Sequence, residues 1–429
     1  MLMATVSGAL ARGDAIATSR RAMLLLGAMV FIVALGYGAG LPLVQLYLAQ
    51  YLPDASASTR AWHVGMLGGV YTGALFLFAS SWGRLSDRHG RMRVLAAGFA
   101  AFLAGLAAAA LAPNLAVVYL SRALAGAGAA AIVPAAQAYI DDISTPVERS
   151  RRFVLLGSAS FVGFLAGPAF GSWVAGPLMG MPVGRMVNMV NWPAIAVAIA
   201  GIPLLLMVLW NLGSNSVSSP TEAAQQTSPE RKRFVHASMG LALLASFAVG
   251  IFEVGFTLFG GQTLGLASGT MAVMFVTCSV AMLAAQSTLL LEGVRRRINQ
   301  RWMAAAFAAS ALALTFTSAV PDAAALGLLI AVVSTGIGMV GPVLSYELLE
   351  RDAAARGALL GRQAAAGNLG QALGSVSAGA LFAWHPVAPF WAAALVLGAG
   401  AMLALSFWGR ARDDEIAAHS ATGGGQAQS

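Results

Sequence analysis

The chain has 429 residues, of which 58% are hydrophobic and 10% charged, against roughly 25% charged in a soluble domain. With a net charge of +8 and a mean hydropathy of +0.76, it excludes a water-soluble globule and predicts an all-α, polytopic membrane protein. The single cysteine, Cys278, excludes an intrachain disulfide and a thiolate metal cluster, so neither metal nor cofactor is expected.

In chain order, apolar windows of about twenty residues, each able to cross a core of about 30 Å, fall near 22–48, 63–82, 94–112, 116–140, 153–176 and 191–212. A second set falls near 236–260, 269–291, 302–320, 323–346, 358–383 and 389–409. These twelve predicted helices make two six-helix bundles, 22–212 and 236–409. A tail (1–21), a linker (213–235) and a second tail (410–429) complete the chain, all on the cytoplasmic side. The linker is rich in Ser, Gln, Thr and Pro and has too little apolar surface to order itself. No small-residue cleavage site follows the first apolar run, which is therefore expected to be a retained span and not a signal peptide.

Charge placement tests the count of helices independently. With the amino terminus inside, 22 of the 25 Lys and Arg residues fall on one side, in seven short segments. Only Arg60 and Arg185 fall on the other side, and Arg122 lies within a helix. The positive-inside rule then places both termini in the cytoplasm of a multi-pass protein of the cell inner membrane. Because the arginines are dispersed, the basic charge reads as topology and anionic-lipid contact, not as a nucleic-acid surface. The chain is expected to act as a monomer.

Between the second and third predicted helices lies Gly83-Arg84-Leu85-Ser86-Asp87-Arg88-His89-Gly90-Arg91-Met92-Arg93, read as a cytoplasmic turn. Gly83 and Gly90 flank its charges and permit a tight backbone beside a neighbouring helix. Arg91 is expected to pair with Asp142 or Glu148 at the end of helix four, and Asp87 to cap the amino end of helix eleven. Helix five carries Gly163-x3-Gly167-Pro168-x2-Gly171, whose glycines cut a groove on one face while Pro168 bends the helix. Helix four carries Arg122-x3-Gly126-x-Gly128-Ala129-Ala130 with Pro134, faintly echoed in helix ten by Gly336-x-Gly338 and Gly341-Pro342. Helix one reads Leu35-Gly36-x5-Pro42, with Gln45 where a second proline would complete the pattern.

The turn from Gly83 to Arg93 resembles the signature loop of the major facilitator superfamily, and the helix-four pattern is similar to another motif of that superfamily. The patterns in helices one and five resemble those of its twelve-helix drug/proton antiporters, with Ser172 in place of the last glycine of the helix-five motif. This resemblance implies two pseudo-symmetric bundles rocking about a central site. It also implies that Gly83, Asp87, Arg88, Gly90, Arg91 and Arg93 form a latch that closes the cytoplasmic side.

Almost all acids lie in loops, tails or helix ends, and only Glu253 is deep. Helix seven carries Glu253 roughly 20 to 25 Å above its cytoplasmic start, and Arg122 lies about 12 Å below the outer surface. Charged groups at such depth are functional candidates, because a charge left unpaired in lipid is costly. Proton coupling is therefore assigned to Glu253 with Arg122, aided by Asp141 or Asp142. Gln45, Tyr71, Gln137, Phe252, Phe256, Gln286, Asn368 and Gln371 are the candidates to line a cavity.

The resulting expectation is a secondary active transporter that exports a moderately hydrophobic drug, metabolite or siderophore by proton-coupled alternating access. Import of a metabolite by proton symport is the alternative within the same fold. An intramembrane enzyme would need a deep nucleophile and base or a metal cluster, whereas the five histidines fall at interfaces, loops or tails. A transport-silent receptor would have no use for Glu253.

Overall fold

A computed structural model of the chain describes residues 2–175, 191–210, 229–288, 300–317, 323–351 and 356–423. Arg185, linker residues 213–228 and the basic turn from Glu292 to Arg297 lie outside the described residues. Among those described, the architecture is a succession of long helices. In the amino-terminal half these are α1 (Leu2–Gly40), α2 (Ala57–His89), α3 (Arg91–Ala110), α4 (Leu115–Ile143), α5 (Pro146–Ala175) and α6 (Trp192–Trp210). The carboxy-terminal half contributes α7 (Pro229–Leu258), α8 (Ser268–Ser287), α9 (Gln300–Thr315), α10 (Ala323–Arg351), α11 (Arg356–Trp384) and α12 (Ala388–Gly423). A 3-10 turn, Leu41–Leu43, and a short helix, Val44–Ala49, continue the first span.

By length and hydropathy ten of the described spans can cross a membrane. The apolar part of α9, Arg301–Thr315, is shorter, and α11 falls outside the set. In α11 the window is diluted by Arg362, Gln363, Asn368 and Gln371.

The helices gather into two compact units, one of residues 1–222 with 260–276 and one of 223–259 with 277–429. In the first, α1 packs on α5, α4 lies against both α2 and α3, and α6 covers α3. In the second, α7 packs on α11 and α12, and α9 on α12 and α10. Residues 260–276, which include all but the first residue of a π-helical turn (Phe259–Thr263) and the first half of α8, group with the amino-terminal unit although they follow α7 in sequence.

Lipid tails are as apolar as leucine, so these contacts are stabilised by close packing. Glycine provides the proximity. A Cβ on Gly105 would lie 2.6 Å from the Ala125 nitrogen, and Gly98 and Gly128 bring α3 and α4 together in the same way. Phe99, Phe102, Leu95 and Ile132 fill the space around this contact and are almost wholly buried.

The turn expected between helices two and three is not an extended loop. Helix α2 runs to His89 and α3 starts at Arg91, so the connection is Gly90 alone. Hydropathy marks only the portion of a helix suited to hydrocarbon, whereas backbone hydrogen bonding continues through the polar layer beyond it.

Candidate functional site

Gly90 has φ 92° and ψ 147°, in a region that only glycine enters without strain, and its N–H reaches the Ser86 carbonyl at 3.1 Å. This geometry turns the chain sharply and places Arg91 at the start of α3. There Arg91 pairs with Asp87, donates from Nε to Asp142 Oδ2 at 3.2 Å, and reaches Ser86 Oγ at 3.2 Å. The α2–α3 elbow is thus tied to the carboxy end of α4 through one guanidinium. Glu148 instead pairs with Arg152 at 3.4 Å, and Asp141 lies 2.5 Å from Arg149 Nε. At Gly83 the structure corrects the expectation of a close approach, since nothing described lies within 4 Å of where its Cβ would be. Arg88 and Arg93 are exposed.

The helix-five glycines meet α1. A Cβ on Gly167 would lie 2.7 Å from the Gly38 Cα, and Cβ atoms on Gly163 and Gly171 would collide with the carbonyls of Phe31 and Ala39. Pro168 has no N–H, so the Phe164 carbonyl loses its usual donor. That oxygen lies 2.9 Å from where a Cβ on Gly38 would stand. Two helices therefore touch backbone to backbone along a line of four glycines. Ser172 Oγ lies 3.5 Å from the Ser268 carbonyl, in the same unit.

In the carboxy-terminal unit α7 and α11 repeat this construction. Cβ atoms on Gly250, Gly370 and Gly374 would each strike a carbonyl of the facing helix, those of Gln371, Leu243 and Phe247. At this crossing Glu253, 8% exposed, accepts a hydrogen bond from Gln371 Nε2 at 3.0 Å. Phe252 and Phe256 flank it, both buried and stacked with centroids 6.0 Å apart. Gln286 donates to the Gly338 carbonyl at 3.0 Å. That carbonyl is four residues before Pro342, which has no N–H to offer it, so Gln286 repairs the gap in the α10 ladder. Asn368 is half-buried on α11.

Arg122 belongs to the other unit. It projects from α4 into a small cavity inside the amino-terminal bundle, lined also by Tyr37, Gly40, Tyr47, Tyr71 and Asn191. Its Nη2 lies 3.2 Å from the position a Cβ on Gly40 would occupy. Tyr71 is buried against Tyr37, the two rings 5.1 Å apart. Gln45, farther along the first span, lies with its amide against Gly261, and Gln137 is half-buried near the carboxy end of α4.

Several functional side chains escape a reading of pattern alone. Tyr47, Asn191 and Tyr51 donate to the carbonyls of Ala109, Ala110 and Ala112, at 2.5, 2.8 and 2.9 Å, where α3 ends. Orphan helix-end carbonyls in lipid need such donors. Trp82 Nε1 donates to the Ala127 carbonyl at 2.7 Å, and Gln363 bridges Gly341 and Ser345 of α10. Only the three donors clustered around an apolar helix end give a usable signal, and it lies in space, not in spacing.

The family model described as Major Facilitator Superfamily matches residues 26–351. The chain belongs to the Major Facilitator Superfamily. It is 25% identical over 393 residues to "Multidrug resistance protein 2" of Bacillus subtilis (strain 168), covering 90% of this chain and 95% of that one. It is 35% identical over 163 residues to "Tetracycline resistance protein, class C" of Escherichia coli, covering 38% of this chain and 39% of that one. The fold matches a crystal structure of the human organic anion transporter MFSD10 with TM-score 0.66 at 19% identity, covering 90% of this chain and 99% of that one. As a member of the superfamily the chain is a multi-pass membrane protein and a secondary transporter of small molecules, not an enzyme. Its helices supply the motifs of the superfamily on elements that contact one another, α2 with α3 and α4, and α5 with α1.

Proposed function

We propose that this transporter exports a moderately hydrophobic small molecule, such as a drug, a metabolite or a siderophore, in exchange for protons. The names of two relatives, a multidrug and a tetracycline resistance protein, support an amphipathic organic substrate. Both termini lie in the cytoplasm of the inner membrane on this reading, as the arginine distribution favours. A single copy of the chain performs the cycle.

One observation carries the coupling. Glu253 is a buried carboxylate in a membrane helix and accepts a hydrogen bond from the amide of Gln371. A hydrogen bond from an amide supports the carboxylate, whereas taking up a proton removes the cost of holding a charge at such burial. Alternating access then exposes the same group to each side in turn. Proton loss to the cytoplasm and proton gain from outside exchange one proton for substrate. Gly250 and Gly374 let α7 and α11 approach closely enough for Gln371 to reach Glu253. Arg91 with Asp87 and Asp142 forms the elbow that controls inward closure, and the α1–α5 seam supplies the surface along which helices shift. Arg122 contributes its field to the coupling, and Asp141 and Asp142 are the reserve proton carriers.

The test is Glu253→Gln in proteoliposomes with an imposed pH difference. Uphill export should disappear while downhill exchange persists. A variant that still concentrates substrate against its gradient would move the coupling site to Asp141 or Asp142, and accumulation in the opposite direction by the wild type would make the protein a symporter.

A further inference from the structure

The cavity around Arg122 is small, about 70 Å3, whereas pockets for drug-sized molecules run to about 300 Å3 or more. The residues that line it all belong to the amino-terminal unit, so what it contains is independent of the Glu253 assignment. No Asp or Glu lines it. Arg122 makes neither a hydrogen bond nor an ion pair with any described residue, although its guanidinium carries five donors. An alanine Cβ at Gly40 would lie 3.2 Å from Nη2, so the guanidinium would have to shift by a few tenths of an ångström to admit it.

Two features offset part of the charge. The carboxy end of α3 points its dipole into the same region, worth about half a negative charge. Yet its carbonyls at Ala109 and Ala110 are already taken by Tyr47 and Asn191. Asn191 Oδ1 is buried without a donor, which calls for one bound water. Tyr71 brings a buried phenol whose hydroxyl has no hydrogen-bond partner among the described residues. A whole positive charge, a spare hydroxyl donor and room for a few water-sized groups remain.

We propose that this cavity is a binding site for one small monovalent inorganic anion of chloride size, held by Arg122 and Tyr71 with a water bridging to Asn191. The anion sits beside the guanidinium and ties together α4, which carries Arg122, and α2, which carries Tyr71, with Asn191 beside them. An acidic group on a transported molecule has the same chemistry, and the acetate arm of the experiment separates the two.

The experiment uses purified full-length protein in detergent at constant ionic strength, with gluconate replaced stepwise by chloride, bromide or acetate. Chloride and bromide should raise Tm saturably by about 3 °C, as linkage predicts for a ligand held well above its Kd. Arg122→Gln should abolish the rise, and Gly40→Ala, which crowds Nη2 while keeping the charge, should shift the chloride titration to about tenfold higher concentration. The Gly40→Ala result stands even if Arg122→Gln does not fold. A wild type indifferent to halides, an equal response in both variants, or stabilisation by acetate but not by chloride overturns the proposal.

Discussion

The two bundles carry the charges within their helices in opposite ways. In the carboxy-terminal unit Glu253 lies in a tight crossing of α7 and α11, where it accepts a hydrogen bond from Gln371. In the amino-terminal unit Arg122 faces a cavity. The difference follows from the chemistry of the groups. A carboxylic acid escapes the penalty of burial by taking a proton, so it tolerates a packed site, whereas a guanidinium cannot discharge and needs a void that admits water or a counter-ion. A titratable group in a tight site suits a switch, and a permanent charge in a hydrated one suits a fixed field.

Both bundles nevertheless use the same seam, glycine backbones in contact, and this gives the strongest way to break the comparison. Gly167→Leu should drive a side chain into Gly38 and lower stability by about 3 kcal/mol, with turnover stalled in whatever protein folds. Gly374→Leu should do the same against Phe247. Detergent thermal melts that differ widely between the two would show that the seams are not equivalent.

Glu253→Gln sharpens the contrast from the other side. Uphill transport should fall by about a hundredfold, close to 2.7 kcal/mol, while Tm stays within about 2 °C of wild type, because a neutral amide suits a packed crossing. A large loss of Tm with transport intact would make Glu253 structural.

Asp87→Asn comes next. Asp87 is 57% exposed, so its ion pair with Arg91 contributes less than about 1 kcal/mol to stability. Turnover should nonetheless drop by about tenfold in well-inserted protein, since the elbow acts on closure. Normal transport in that variant would reduce the elbow to a surface turn.

The smallest effect is expected from Tyr47→Phe. It removes the donor to Ala109 and leaves a helix-end carbonyl unpartnered, lowering stability by about 1 kcal/mol. No change in the melt would mean that water replaces the phenol there, which is itself a measure of how wet the Arg122 cavity is.

Sequence by itself determined the class of the molecule, because hydropathy and the positive-inside bias are sums over many residues and survive local error. It located Glu253 as well, since one acid within an apolar window stands out in any register. It also marked the glycines of helix five, whose four-residue spacing puts them on one face wherever the partner lies. What it left open was the partner. That Gly167 meets Gly38, that Gln371 comes to Glu253 across 118 residues, and that Arg91 selects Asp142 are decided by which helices become neighbours. Only the tertiary structure decides such questions, because in a bundle of similar apolar helices proximity depends on backbone fit and not on a local pattern. The same holds for Gln286, marked from its polarity as a cavity residue and found donating to the carbonyl that Pro342 leaves free. Periodicity sees one helix at a time, whereas an unsatisfied carbonyl is answered by the nearest donor in space.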